Sequence, residues 1–272
     1  MSRQMDKRAA AALSRLLEVM RQLRDPEHGC PWDRAQTHRS LVPYLLEEAH
    51  EVVDVIERNA LERLDDELGD LLFQVVFHAR LAEEAGRFDM ADVANAIADK
   101  LVRRHPHVFG GAQVASAEEQ TRQWEAHKAR ERAERGVQAT DLFADVPRAL
   151  PALARAAKLQ RRAARMGLDW PDATGVLEKL DEELAELRAA MDEGVPERIE
   201  AEVGDLLFTC VNLARHLGVD PEQALRGASA RFETRALAVV ARARAAGSDP
   251  AELDAEALDT LWRAAKGQEE GT

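Results

Sequence analysis

Acidic residues three positions apart form two matching pairs of motifs in the chain. Residues 45–51 read LLEEAHE and residues 180–186 read LDEELAE, and each stretch is followed by a Glu-x-x-Asp pair. Two residues at this spacing lie on one face of a helix, about one turn from each other. Two such helices side by side would present four carboxylates to one point. The residues concerned are Glu48, Glu51, Glu67 and Asp70 in the first half, and Glu183, Glu186, Glu202 and Asp205 in the second.

Converging carboxylates predict a bound cation. Without one they would repel each other and raise their own pKa values. Hard divalent ions take oxygen ligands, so Mg²⁺ is the expected cofactor and Mn²⁺ the alternative. In so acidic a chain, however, any single Glu-x-x-Glu pair is more often a solvated helix face than a metal site. The repetition of the whole pattern is what favours a site.

The two acidic patterns belong to an internal duplication. Residue 45 aligns with residue 180 and residue 67 with residue 202, an offset of 135 positions in both cases. Residues 67–73 (ELGDLLF) thereby match residues 202–208 (EVGDLLF), although most of the surrounding sequence has diverged. Repeats of this kind indicate tandem copies of one structural unit. We place the boundary near Gly136, with one domain over residues 1–136 and a second over residues 137–272.

Helices are the elements predicted to position these acids. Apolar residues recur at helical spacing over residues 45–56, 61–79 and 177–191. Gly86 and Gly218 follow long helical patterns, and Asp220-Pro221 and Asp249-Pro250 are typical of helix starts. Aromatic residues make up only 4% of the chain, and no segment has the pattern of a strand. The prediction is an all-α fold built from two tandem helical bundles.

The overall charge narrows the possible partners. The chain has 50 acidic and 37 basic residues, and its net charge of −13 disfavours a nucleic acid polymer or an anionic membrane as partner. Cys30 and Cys210 are too few and too far apart for a disulfide framework or a zinc site. No apolar run approaches the about 18–20 residues of a membrane span, and the N-terminus does not resemble a signal peptide. We expect a soluble, cytoplasmic protein.

Two further segments accompany the acidic motifs: GCPWD at residues 29–33 and RRHPHVFGG at residues 103–111. In this order, and over essentially the whole chain, these motifs resemble the MazG family. The resemblance implies an all-α, Mg²⁺-dependent nucleoside triphosphate pyrophosphohydrolase that works as a homodimer. Such an enzyme cleaves ribo- and deoxyribonucleoside triphosphates at the α–β linkage, which yields the monophosphate and pyrophosphate.

The resemblance also implies roles for individual residues. The family's metal ligands correspond to Glu183, Glu186, Glu202 and Asp205, and the second half is the one expected to work if only one does. Its nucleotide-contacting positions correspond to Lys179, Glu182, Arg198, Arg231, Arg235 and Trp262. The intact first-half quartet is accompanied by Lys100, Arg104, Trp124 and Lys128. Glu182 and Glu183 are the candidates for the general base that takes a proton from water.

Two other classes of protein share some of these features. A ferritin-like di-iron bundle uses Glu-x-x-His on paired helices, and Glu47-x-x-His50 fits that pattern. The second copy has Ala185 in place of the histidine, and neither Glu67 nor Glu202 is followed by a histidine three positions later. The required second motif is therefore missing. A helical protein that binds nucleotides without hydrolysing them stays open, because it would keep the same acids.

Overall fold

A computed structural model describes residues 2–111, 116, 143–144 and 146–269. The chain divides into two compact units, Met1–Arg132 and Ala133–Thr272. Every regular element within the described ranges is helical, which confirms the predicted all-α fold. The expected boundary near Gly136 lies outside the described residues and stays a prediction. None of the described helices has the length and apolar character that crossing a bilayer requires.

The first unit is organised around one long pair of helices. Helices α3 and α4 pack on each other, and α1 and α5 pack on α4. The buried core of this unit contains Phe77 and Val76 from α4, with Met20 and Leu41. The six described helices are α1 (Ser2–Leu23), α2 (Pro31–Ala35), α3 (Val42–Glu57), α4 (Leu64–Glu84), α5 (Met90–Arg104) and α6 (Pro106–Phe109), and a 3-10 turn (Leu61–Arg63) precedes α4.

The second unit has the same kind of central pair. Helices α8 and α9 pack on each other, α7 packs on α9 and α10, and α11 packs on α10. The five described helices are α7 (Ala152–Ala164), α8 (Ala173–Glu193), α9 (Pro196–His216), α10 (Pro221–Ala245) and α11 (Ala255–Glu269), and a 3-10 turn (Pro250–Glu252) lies before α11. The apolar stripes seen in the sequence thus find the helical partners that they require.

Local sequence signals account for several helix ends. The Asp220 side chain accepts a hydrogen bond from the Gln223 N–H and Pro221 occupies the first turn, so α10 begins as predicted. Asp249 accepts from the Ala251 N–H in the same way, but it begins the short 3-10 turn instead of an α-helix. Gly218 has a φ of +71° after α9 and satisfies the requirement for a left-handed residue there.

The duplication is visible in the backbone as well as in the sequence. Asn59 follows α3 with a φ of +55°, and Gly194 follows α8 with a φ of +68°. These two residues are related by the same offset of 135 positions as the acidic motifs. Glycine enters the left-handed region without steric cost, and asparagine is among the few other residues that tolerate it. A left-handed residue therefore follows the first acid-bearing helix in each copy, although only the first copy has a 3-10 turn before the second helix.

Candidate active site

Three acids of the second unit come together between α8 and α9. Carboxylate oxygens of Glu183, Glu186 and Glu202 all lie within 4.8 Å of one another, and in the described part of the chain this is the group that meets that spacing. Glu183 is buried, with 5% of its surface exposed. Asp205 is exposed and is not part of the group. The structure thus collects three of the four predicted metal ligands, which we call the acidic cluster.

Lys179 lies one turn before Glu183 on α8 and contacts three carboxylates. Its Nζ is 2.8 Å from Glu182 Oε1, 2.9 Å from Glu183 Oε1 and 3.9 Å from Glu186 Oε2. The hydrogen bonds that Lys179 donates to Glu182 and then to Glu183 raise the pKa of its ammonium group well above the ordinary value. The acidic cluster is therefore already paired with a positively charged group.

Arg198 connects the end of α8 to the start of α9. Its guanidinium forms an ion pair with Glu193, and its Nη2 lies 4.0 Å from Glu202 Oε1. This pairing, above all with Glu193, raises the pKa of Arg198. Glu193 was not among the site residues predicted from the sequence, although its position five residues before a predicted basic residue was visible there. Arg198 thus lies at the edge of the cluster.

The two candidates for the general base differ in their surroundings. The Glu182 side chain is 58% exposed, and its contact with Lys179 is on the surface of α8. The Glu183 side chain is 7% exposed and belongs to the acidic cluster. Glu182 is therefore open to water, whereas Glu183 is positioned to act as a ligand. Both roles stay predictions.

The remaining predicted nucleotide contacts lie on α10 and α11. The Trp262 ring packs against Phe232, with ring centroids 5.4 Å apart and planes tilted by 48°. Arg231 is exposed and lines a surface pocket together with Asp220. Arg235 is half-buried one turn later on the same helix. The predicted residues of the second unit are thus divided between the α8–α9 pair, which carries the acids, and the α10–α11 pair.

The first unit arranges its acids differently. Glu67 is buried at 6% exposure, and Arg63 Nη2 donates a hydrogen bond of 2.7 Å to its Oε1. Burial raises the pKa of Glu48, and the charge of Asp70 and a hydrogen bond involving Glu51 raise it further. No three carboxylates in the described part of this unit reach the spacing found in the acidic cluster.

The basic residues expected beside the first-unit acids are only partly described. Lys100 is half-buried on α5, and Arg104 is buried at the end of the same helix. Trp124 and Lys128 lie outside the described residues.

An aromatic residue replaces Lys179 in the first unit. Tyr44 occupies the matching position, at the offset of 135 residues, one turn before Glu48 on α3. Its ring meets the Trp32 ring edge to face, with centroids 5.6 Å apart and planes at 82°. Tyrosine is uncharged at neutral pH, so it supplies no counter-charge to the acids. This difference can be seen in the sequence, because the internal repeat aligns Tyr44 with Lys179 directly.

Comparison with known proteins agrees with this architecture. Residues 36–109 match the MazG nucleotide pyrophosphohydrolase domain. The chain is 46% identical over 259 residues to the nucleoside triphosphate pyrophosphohydrolase of Escherichia coli, covering 94% of this chain and 98% of that protein. It is 44% identical over 264 residues to the nucleoside triphosphate pyrophosphohydrolase/pyrophosphatase MazG of Thermotoga maritima, covering 97% of this chain and 99% of that protein. The chain belongs to the MazG family. It is thus a pyrophosphohydrolase, a hydrolase that acts on acid anhydrides, as predicted.

The second MazG-like unit is also similar to another group of pyrophosphohydrolases. Residues 158–231, from the second half of α7 to the first part of α10, match the phosphoribosyl-ATP pyrophosphohydrolase family. The phosphoribosyl-ATP pyrophosphatase of Bordetella avium is 41% identical over 63 residues, covering 23% of this chain and 53% of that protein. The two halves of the duplication thus match two families of pyrophosphohydrolases.

Proposed function

We propose that the second unit hydrolyses nucleoside triphosphates between the α and β phosphates, releasing the nucleoside monophosphate and pyrophosphate. The observation that carries this proposal is the acidic cluster, whose carboxylate oxygens lie within 4.8 Å of one another beside Lys179. The long relatives from Escherichia coli and Thermotoga maritima, both named as nucleoside triphosphate pyrophosphohydrolases, support the substrate class.

The donor set of the cluster suits Mg²⁺, with Mn²⁺ as a substitute. Glu183, Glu186 and Glu202 offer only carboxylate oxygens, the ligands that hard divalent ions prefer, and Asp205 follows Glu202 by three residues on α9. The cluster already attracts one cationic group, the Lys179 ammonium. When bound, Mg²⁺ would supply positive charge that stabilises the phosphate oxygens and lowers the pKa of an attacking water molecule.

The chain's own side chains then have separate tasks. Lys179, Arg198, Arg231 and Arg235 bind the phosphates and neutralise the pyrophosphate that leaves. Glu182 accepts the proton of the attacking water, because its carboxylate is open to solvent while Glu183 is buried as a ligand.

We assign the base of the nucleotide to Trp262. Its indole is half-buried against Phe232, so it is held in place while part of its surface remains accessible. A flat ring held in this way can stack on a nucleobase.

We further propose that the enzyme is a homodimer that acts on free nucleotides in the cytoplasm. Val203, Leu207 and Phe208 on α9 are 39%, 52% and 44% exposed in the single chain, which is unusual for neighbouring apolar residues. A second copy would bury them. Sedimentation equilibrium should return twice the mass of one chain, and a mass of one chain across the micromolar range would refute the dimer.

The reaction is tested by resolving the products from dGTP and Mg²⁺ with matched variants of the two units. Glu183→Gln/Glu186→Gln should lower pyrophosphate release by roughly a hundredfold or more, since it removes two ligands. The equivalent first-unit variant, Glu48→Gln/Glu51→Gln, should retain activity. Formation of diphosphate and inorganic phosphate would contradict the proposal. Tight binding of a non-hydrolysable nucleotide without any turnover of dGTP would favour a nucleotide sensor instead.

A further inference from the structure

The ammonium of Lys179 and a metal ion would compete for the same carboxylates. It contacts Glu183 at 2.9 Å and Glu186 at 3.9 Å, and both carboxylates belong to the acidic cluster. An exposed lysine paired with one carboxylate is commonly worth little. Lys179 is different in two respects: it touches three carboxylates, and its contact with Glu183 reaches a side chain that is only 7% exposed.

The equivalent acids of the first unit lack this lysine. Tyr44 stands at the matching position, and the pKa of Glu48 is raised by burial and by the neighbouring charge of Asp70. No ion pair to Glu48, Glu51 or Asp70 is present in the described part of the chain. Among the described residues, the acids of the second unit therefore have a lysine counter-charge that Glu48, Glu51 and Asp70 lack.

We propose that Lys179 is a built-in counter-ion that makes cation binding in the second unit depend on the nucleotide. This inference rests on the proposed function, because it assumes that the acidic cluster holds the metal. Lys179 pairs with the carboxylates in the free enzyme and with a phosphate group of the nucleotide in the complex.

The physical reason is competition for the same negative charge. A divalent cation that enters the cluster alone meets the positive charge of Lys179 a few ångströms away and must displace it from Glu183. A nucleotide phosphate offers the ammonium a new partner. The four-carbon stem of lysine lets the charge move from one to the other. Each ligand therefore lowers the cost of binding the other, and this coupling must be reciprocal.

The test is a Mn²⁺ titration of the full-length protein, followed by the loss of the free-ion signal in electron paramagnetic resonance. All proteins carry Glu48→Gln/Glu51→Gln, so that the first unit does not contribute. Lys179→Met should bind Mn²⁺ roughly tenfold more tightly than its parent when no nucleotide is present. Lys179→Arg keeps the positive charge and should bind Mn²⁺ as weakly as the parent. Lys158→Met on α7 is the matched control, because it removes one lysine charge from the same unit.

The second half of the test adds the α,β-methylene analogue of dGTP, which cannot be cleaved at the proposed linkage. The analogue should tighten Mn²⁺ binding much more for the parent than for Lys179→Met. The complex that the analogue forms with Mn²⁺ in solution is common to both titrations and cancels in the comparison. Thermal unfolding of each variant shows whether the fold is retained.

Two results would overturn the inference, and they are distinguishable from failure of the proposed function. The counter-ion role is wrong if Lys179→Met binds Mn²⁺ no more tightly than the parent, or if the analogue tightens binding equally in both. Glu183→Gln/Glu186→Gln in the same background should bind no Mn²⁺ at this site. If that variant binds Mn²⁺ like the parent, the cluster is not the metal site and the proposed function fails with it.

Discussion

The acids on α3 and α4 and the acids on α8 and α9 hold matching positions, but their basic neighbours differ. In the second unit Lys179 bonds to Glu182 and Glu183, whereas the uncharged Tyr44 at the equivalent place packs on Trp32. The second unit brings three carboxylates within 4.8 Å of one another. Matching ligand types alone therefore do not make the two sites equivalent, since the residue beside the acids and the spacing of the carboxylates both differ.

A second pair of equivalent positions, Arg63 and Arg198, also differs between the units. Arg63 and Arg198 are equivalent, but Arg63 bonds directly to Glu67 at 2.7 Å while Arg198 pairs mainly with Glu193. The residue that matches Glu193 in the first unit is Arg58, whose side chain cannot accept a hydrogen bond from Arg63. Glu67 is therefore paired with Arg63 of the preceding 3-10 turn, whereas its counterpart Glu202 belongs to the acidic cluster.

The interiors of the two units also differ at matching positions. Phe77 is fully buried in the first unit, and the Arg24 guanidinium lies 5.4 Å from its ring centroid. The equivalent residue in the second unit is Asn212, which is buried and accepts a 2.6 Å hydrogen bond from Arg215. An apolar core contact in one copy is thus replaced by a polar contact in the other.

The largest expected effect is on the free energy of unfolding, and it differs between the interiors of the two units. Phe77→Ala should lower the free energy of unfolding of the first unit by about 3–5 kcal/mol, because it leaves a cavity where the side chain is fully buried. Asn212→Ala should cost the second unit about 1–3 kcal/mol through the lost hydrogen bond. Urea unfolding of the full chain measures both. A larger loss for Asn212→Ala than for Phe77→Ala would show that the polar contact is the more important one.

The next prediction compares equivalent acids on α4 and α9. Glu202→Gln should lower the turnover of dGTP by roughly a hundredfold, because it removes a carboxylate from the acidic cluster. Glu67→Gln should leave turnover within about threefold of the unaltered protein, since Glu67 is paired with Arg63 in the other unit. Pyrophosphate release is the measurement. Equal losses would mean that both units contribute to catalysis.

A pH dependence of stability is expected from the segment before α8. Burial alone would raise the pKa of Asp169, but hydrogen bonds from Arg215 and His216 outweigh burial and lower it. Because the folded-state pKa is below the unfolded-state value, this contribution is complete above the unfolded pKa of about 4. It is lost as the pH falls through the folded-state pKa.

Asp169→Asn should remove this contribution and destabilise the second unit by about 1–2 kcal/mol at neutral pH. The measurement is urea unfolding at pH 7 and at several values below about pH 4, where the difference between the variant and the unaltered protein should shrink. A difference that stays constant as the pH falls would exclude a role for the Asp169 charge.

The smallest expected effect comes from a substitution that places the counter-charge in the first unit. Tyr44→Lys should weaken Mn²⁺ binding by the first-unit acids by about three- to fivefold, because a new ammonium would pair with Glu48. The titration is made in a Glu183→Gln/Glu186→Gln background, so that only the first unit is observed. Tyr44→Phe keeps the ring and should leave the affinity unchanged. Tighter Mn²⁺ binding by Tyr44→Lys would contradict the comparison between the units.

Much of this architecture was readable from the sequence. Helical periodicity predicted the helices that carry the acids, and the constant offset of 135 residues predicted the duplication. The Asp220-Pro221 helix start was also predicted correctly, because capping depends on a few adjacent residues. The Asp249-Pro250 pair was less informative: the same signal begins a 3-10 turn, since the length of a helix depends on the residues beyond its cap.

What the sequence determined by itself is which side chains share a helix face, because a spacing of three or four residues fixes that face wherever the helix packs. It thereby identified Glu183, Glu186 and Glu202 as candidates. The same spacing places Lys179 beside Glu182 and Glu183 on α8. Only the tertiary structure decided that Glu202 of α9 joins Glu183 and Glu186 and that Asp205 does not. Those outcomes depend on how α8 packs against α9, which is not encoded in the spacing along one helix.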